Sequence, residues 1–250
     1  MVAPLAGRVS ALFGMNVFGD ALGFIQDNPH LLFDRALEQL WLALAALAVS
    51  IALALPLGAW LGHRHRGSLF AINTANVGRA LPTLAVLALG IVVLGLGVGF
   101  KTNLLALVVL GVPPILTNAY VAVDRVDPEP VGAALGMGMT GGQILTRVEL
   151  PLALPTIFAG IRVAAIFIIA TATIAGAVGG GSLGAIIVNQ AAYGLDGVFG
   201  AAMCVALLAL LVDGILWIVQ RLLTPRGLRG RTAQPTYDTP IGTLAEAGAR

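Results

Sequence analysis

The chain has 250 residues, of which 58% are hydrophobic and only 10% are charged, and its formal net charge is +2. Soluble domains carry about 25% charged residues, so a chain this apolar lacks the polar groups needed to cover a water-exposed surface. A small net charge without a basic, aromatic-interleaved stretch is also not the composition of a nucleic-acid-binding domain.

Five apolar segments are predicted to cross a membrane. A transmembrane helix needs about 20 mostly apolar residues, and internal prolines are tolerated where neighbouring groups satisfy the freed carbonyls. The sequence therefore predicts an all-α, polytopic membrane helix bundle with about five transmembrane helices. The predicted spans lie near residues 38–62, 76–96, 103–123, 155–177 and 198–221.

Three regions follow from these spans. Residues 1–35 are predicted to be an N-terminal extracytoplasmic segment, residues 36–224 the transmembrane domain, and residues 225–250 a disordered cytoplasmic tail. Lys and Arg are concentrated in the loop after the first span, in the loop at 124–151 and in the tail. Because basic residues near span ends favour the cytoplasmic side, these regions are predicted to be cytoplasmic and the N-terminus to lie outside.

The cytoplasmic loop contains signals for two short helices. Asp127 can cap the first helix, and the proline after it suits a first helical turn. Gly138 can adopt the left-handed conformation that ends this helix. Thr140 and Gln143 stand at the spacing of a capping box, which begins a second helix, and Pro151 is expected to disturb that helix.

Two interpretations of this helical hairpin are open on local physics alone. Val131, Leu135 and Met137 are apolar and expected to be exposed, so they could fill a groove on a partner protein. Alternatively, the hairpin lies on the membrane surface as an amphipathic unit.

The same segment resembles the EAA loop of binding-protein-dependent ABC importer permeases. That loop has Glu-Ala-Ala, then a glycine, and then nine residues leading to Ile-x-Leu-Pro. Gly132 stands where the family has its glutamate, and Glu129, one turn earlier, is a candidate substitute for that charge. The residues that match the pattern are Ala133, Ala134, Gly138, Val148, Leu150 and Pro151.

Further stretches resemble the glycine betaine/carnitine/choline branch of these permeases, and the likeness covers roughly residues 24–222. They are ALPTLAVLALG at 80–90, GMGMT at 136–140, VELPLALP at 148–155, AGIR at 159–162 and TATIAGAVGGGSLG at 171–184.

The resemblance implies a type I ABC importer permease fold in the plasma membrane of a bacterium or archaeon. It implies three partners: an ATPase with ATP-Mg, an extracytoplasmic solute-binding protein, and a second permease, identical or similar. This chain has no G-x-x-x-x-G-K-[ST] phosphate loop, so ATP hydrolysis is expected in the partner. We expect this chain itself to bind no cofactor. The predicted ATPase-docking residues are Asp127, Glu129, Gly132, Ala133, Ala134, Gly138, Thr140, Gln143, Val148, Leu150 and Pro151.

Arg162 and Asp213 are the ionisable residues predicted to lie well inside the spans. Intramembrane charges are costly and often functional, and we expect a structural role for these two, as a pair or as a tie at a gate. His63 and His65 are interpreted as part of a solvated turn rather than a metal site. Cys204 is interpreted as a small buried hydrophobe, and no catalytic constellation is found.

Other functions stay open at the level of sequence. Within the permease class, amino acids or other small cations are the alternative solutes to compatible solutes such as glycine betaine, choline, carnitine or proline betaine. A stand-alone secondary transporter or channel would need mid-membrane relay residues, which are scarce here. A non-transporting membrane scaffold would not need the glycine-rich segments.

Overall fold

The computed structural model describes residues 16–67, 69, 73–74, 82–179 and 181–224. Within these ranges the regular structure is helical, which confirms the all-α class. The helices are α1 (Asn16–Asp27), α2 (Pro29–His63), α3 (Thr83–Val92), α4 (Phe100–Asp124), α5 (Pro128–Gly136), α6 (Gly141–Ile144), α7 (Leu150–Gly179), α8 (Leu183–Val188) and α9 (Gln190–Leu223). A π-helical turn, Leu145–Glu149, joins α6 to α7.

Four helical stretches in the described part of the chain are long and apolar enough to cross a membrane. They are α2, α4, the continuous stretch Gly141–Gly176, and α9. The remaining predicted span, 76–96, contains the ten-residue helix α3 at 83–92. Residues 75–81 lie outside the described residues, as do most of the N-terminal segment and the tail at 225–250.

Helix α2 begins at Pro29, nine residues before the predicted span. Proline at the first helical position suits a helix start, and Leu32 is buried. Arg35 and Glu38 lie one turn apart and form an ion pair of 2.9 Å. The helix can therefore carry these two charges in the turns that precede its apolar part. The predicted boundary between residues 35 and 36 therefore falls inside a helix.

Helices α2, α4 and α7 pack together and form the main core. Gly58 and Gly62, four residues apart on α2, bring its backbone against α4. A Cβ atom added at Gly58 would lie 2.6 Å from the Leu116 carbonyl oxygen, and one at Gly62 would lie 2.7 Å from the Tyr120 carbonyl oxygen. Small residues at this spacing allow membrane helices to approach closely.

Helix α7 runs through the prolines that were expected to interrupt it. The sequence predicts a break near Pro151 and a span that begins at 155, but α7 starts at Leu150 and contains Pro155. A proline ring normally conflicts with the carbonyl four residues earlier, which for Pro151 is that of Arg147. That carbonyl lies in the π-helical turn, where hydrogen bonds span five residues, so the helix continues.

Candidate functional site: the docking segment at 124–151

The first helix of the docking segment, α5, has a defined start and a defined end. The Asp127 carboxylate accepts a hydrogen bond of 3.0 Å from the Glu129 N–H, so it caps the helix as the sequence predicts. At the other end, the Gly138 N–H donates to the Leu135 carbonyl at 2.9 Å, and the Met139 N–H donates to the Ala134 carbonyl at 3.1 Å. These two bonds form a Schellman motif.

Gly138 has the left-handed backbone conformation predicted from its position. Its φ is +79°, a value that residues with a Cβ atom adopt at a cost of about 1–2 kcal/mol. A Cβ atom added there would have no heavy atom within 4 Å. The requirement for glycine is therefore conformational, because space is not limiting.

The second helix starts with the predicted pairing between Thr140 and Gln143. The Thr140 N–H donates to the Gln143 side-chain oxygen at 2.8 Å, which satisfies a backbone donor at the helix start. Four residues of α-helix follow before the π-helical turn. Val148, Leu150 and Pro151 are half-buried in and just after that turn.

The apolar residues of α5 and of its C-cap, Met137, divide between an inner and an outer face. Ala134 is 1% exposed and anchors the helix, whereas Leu135 is 60% exposed and Met137 is 75% exposed. Ala133 is also exposed, but Val131 is half-buried, so the structure corrects its expected exposure. We call the pair Leu135 and Met137 the apolar tip; within the described chain it has the unpartnered character of a docking surface.

Gly132 and Glu129 lie on exposed positions of the same helix. A Cβ atom at Gly132 would have no heavy atom within 4 Å, so a larger side chain at the position of the motif glutamate would project into open space. The departure from the family pattern therefore has no packing cause within this chain.

Glu149 and His63 form a contact that the sequence did not reveal. His63 Nδ1 lies 2.7 Å from Glu149 Oε2, and Glu149 is 3% exposed. His65 Nδ1 lies 2.9 Å from Asp124 Oδ1. The solvated-turn interpretation is therefore wrong for His63. A glutamate inside the apolar sequence VELPLALP was the available signal, since a buried carboxylate requires a partner.

Arg162 and Asp213 meet between α7 and α9. Arg162 Nε donates to Asp213 Oδ1 at 2.7 Å, and its Nη2 donates to Asp213 Oδ2 at 2.8 Å. This bidentate geometry is the strongest form of an Arg–carboxylate contact. It neutralises two charges that the hydrocarbon would otherwise disfavour.

Known proteins resemble this chain over most of its length. The family model described as "Binding-protein-dependent transport system inner membrane component" matches residues 54–226. The chain is 38% identical over 208 residues to the glycine betaine/carnitine/choline transport system permease protein OpuCB of Bacillus subtilis, covering 83% of this chain and 95% of that protein.

Two further similarities are informative. The osmoprotectant import permease protein OsmW of Salmonella typhimurium is 31% identical over 218 residues, covering 84% of this chain and all of that protein (100%). Among solved structures, an inward-facing conformation of the MetNI methionine ABC transporter contains a chain that superposes with a TM-score of 0.68 at 23% identity. This match covers 78% of this chain and 97% of the other, and it shows a shared fold.

Proposed function

Because the chain belongs to the family of binding-protein-dependent transport system inner membrane components, we propose that it forms the translocation path of an ATP-driven importer for a quaternary ammonium compatible solute. Glycine betaine, choline, carnitine and proline betaine are the solutes meant. The observation that carries the solute class is the extent of similarity: relatives named for osmoprotectant, choline or carnitine transport align along most of this chain.

The docking segment is the proposed binding site of a separate ATPase subunit. Its apolar tip, Leu135 and Met137, is exposed, and apolar anchors on a short helix suit a groove on a partner. The ends of α5 are fixed by the Asp127 cap and by Gly138, so the tip is presented at a defined angle. ATP-Mg is held by that partner, and its hydrolysis supplies the work of transport.

Motion of the docking segment reaches the bundle through α7. Helix α6, the π-helical turn and α7 form one uninterrupted helical stretch, so a displacement of α6 is passed along the backbone into the membrane. Closure of the ATPase pair then drives the bundle from inward-open to outward-open. A second permease, identical or similar, completes the path, and an extracytoplasmic binding protein delivers the solute.

The proposed orientation puts the docking segment in the cytoplasm and the N-terminus outside. Arg64 stacks on Trp60 near the end of α2, with 5.4 Å from Cζ to the ring centroid, and Arg221 stacks on Trp217 near the end of α9 at 5.5 Å. Trp and Arg together favour the membrane–water interface. Both helix ends therefore fit the same, positively charged face of a plasma membrane.

The test is uptake by the complete complex in proteoliposomes. The permease is co-expressed with candidate ATPase and binding-protein subunits from the same organism, and uptake of labelled glycine betaine, choline and carnitine is measured with ATP inside. We expect ATP-dependent uptake of at least one of them, and none without the binding protein. Uptake of an ordinary amino acid instead would overturn the solute class, and uptake without any ATPase would overturn the importer mechanism.

A further inference from the structure

The most deeply placed ionisable group of the docking segment is not on its exposed face. Glu149 is the last residue of the π-helical turn, is 3% exposed, and lies 2.7 Å from His63 Nδ1. His63 is the last residue of α2. With the carboxylate ionised, the imidazole Nδ1–H donates to it, which gives a short, charge-assisted hydrogen bond.

The other edge of the same imidazole faces the start of α6. A Cβ atom added at Gly141 would lie 3.2 Å from His63 Nε2. One side chain from α2 therefore contacts the last residue of the π-helical turn and lies beside the first residue of α6. The second docking helix contains only four α-helical residues and buries Ile144, so the imidazole adds a polar contact to this apolar one.

The His63–Glu149 contact also links the docking segment to a helix outside its own backbone connections. The backbone joins the docking segment to α4 at one end and to α7 at the other, and the glycine contacts hold α2 against α4. Buried Ala134 and Ile144 hold the docking segment by apolar contacts, and the His63–Glu149 contact adds a polar link from it to α2. The His63–Glu149 bond braces it against the block that α2 and α4 form.

We propose that His63 and Glu149 are a positioning pair that converts movement of the docked ATPase into joint movement of α7 and the α2–α4 block. This inference rests on the proposed docking of the ATPase at 124–151. The pair acts on coupling rather than on assembly, since the exposed tip at Leu135 and Met137 lies on a different helix.

The neighbouring pair, His65 and Asp124, provides an internal contrast. Its contact distance of 2.9 Å is similar, but the His65 side chain is 68% exposed. Exposed pairs of this kind contribute little, and this one reaches only Asp124, the last residue of α4 and the first of the docking segment. His65→Gln is therefore the matched control for His63→Gln.

The experiment compares His63→Asn with His63→Gln in the reconstituted complex. Asparagine places its amide near the position of the imidazole Nδ1, and glutamine places it near Nε2. We expect His63→Asn to keep solute transported per ATP hydrolysed within about twofold of wild type. We expect His63→Gln to lose at least about fivefold, with ATPase binding and hydrolysis unchanged.

A double-mutant cycle separates a pair from two independent effects. Glu149→Gln combined with His63→Gln should lose no more coupling than the worse single variant, because both remove the same contact. Equal amounts of solute transported per ATP hydrolysed in wild type and His63→Gln would overturn this inference and leave the proposed function standing. Loss of ATPase binding in His63→Gln would do the same. A wild-type permease that does not bind the ATPase at all would overturn the proposed function and this inference with it.

Discussion

Arg162 of α7 and Asp213 of α9 hold each other by two parallel hydrogen bonds, of 2.7 and 2.8 Å, inside the predicted spans. Their side chains are 30% and 25% exposed within the chain. Loss of either partner leaves a charge in an environment where unpaired charges are costly.

The first prediction concerns this pair. Asp213→Asn should lower the thermal stability of the purified permease, whereas Arg162→Met combined with Asp213→Met should recover part of the loss. We expect a coupling of about 1–3 kcal/mol in the double-mutant cycle. The measurement is thermal unfolding in detergent, with Glu38→Gln as a control for an exposed pair, expected to change stability by about 0–1 kcal/mol. Additive effects at 162 and 213 would contradict the prediction.

The second prediction concerns the turn of the docking segment. Gly138→Ala should cost about 1–2 kcal/mol locally because of the positive φ, and it should reduce uptake. Gly136→Ala is the matched control: a Cβ atom has open space at both glycines, but Gly136 is helical. Gly138→Asn should restore part of the activity. Equal activity of Gly138→Ala and Gly136→Ala would show that the turn conformation does not matter for coupling.

The third prediction restores the missing motif glutamate. Gly132→Glu should tighten ATPase-subunit binding by about 0.5–1 kcal/mol, the range for a partly exposed ion pair. Gly132→Ala separates this charge effect from helix propensity, which alone is worth about 1 kcal/mol. The measurement is titration of the ATPase subunit in nanodiscs. If both variants bind equally well, position 132 does not contact the ATPase.

The fourth prediction concerns the contact between α2 and α4. Gly58→Ala should destabilise the permease, because its Cβ atom would meet the Leu116 carbonyl oxygen at 2.6 Å and backbone atoms cannot give way as a side chain can. Gly214→Ala is the control, since a Cβ atom there has no heavy atom within 4 Å. Thermal unfolding in detergent compares the two. An unchanged midpoint for Gly58→Ala would mean that the helices separate at little cost.

The fifth prediction is the orientation in the membrane. Reporters fused after Arg66 or Thr140 should report the cytoplasm, and reporters fused near Lys101 or Asp196 should report the outside. The physical reason is the bias of Lys and Arg toward cytoplasmic loops. A cytoplasmic signal at Asp196 would contradict the proposed topology.

The parts of the docking segment that sequence could predict depend on residues that are close in the chain. The Asp127 cap, the Thr140–Gln143 pairing and the positive φ of Gly138 each involve atoms within three residues. Local rules of hydrogen bonding suffice for such features. Their participation in ATPase docking stays a prediction.

Features that depend on distant residues could not be predicted in the same way. His63 and Glu149 are 86 residues apart, and only the fold brings them together. The continuity of α7 past Pro151 depends on the π-helical turn before it, which outweighs the usual helix-breaking effect of proline. Arg162 and Asp213 are an intermediate case, because two opposite charges in apolar helices favour pairing with each other wherever the helices can meet.

The π-helical turn Leu145–Glu149 also sets the rotational phase between the docking helix and the membrane bundle. Each residue of an α-helix turns the chain by about 100° and advances it by about 1.5 Å. A π-helical turn holds about one residue more than an α-helical turn, so deleting one residue of Leu145–Glu149 would restore ordinary α-helix and change the direction of Gln143 little. It would, however, remove the wide turn in which the Pro151 ring is accommodated. Inserting a residue into the regular α-helix that follows the turn would instead rotate α6 by about 100° relative to the membrane bundle.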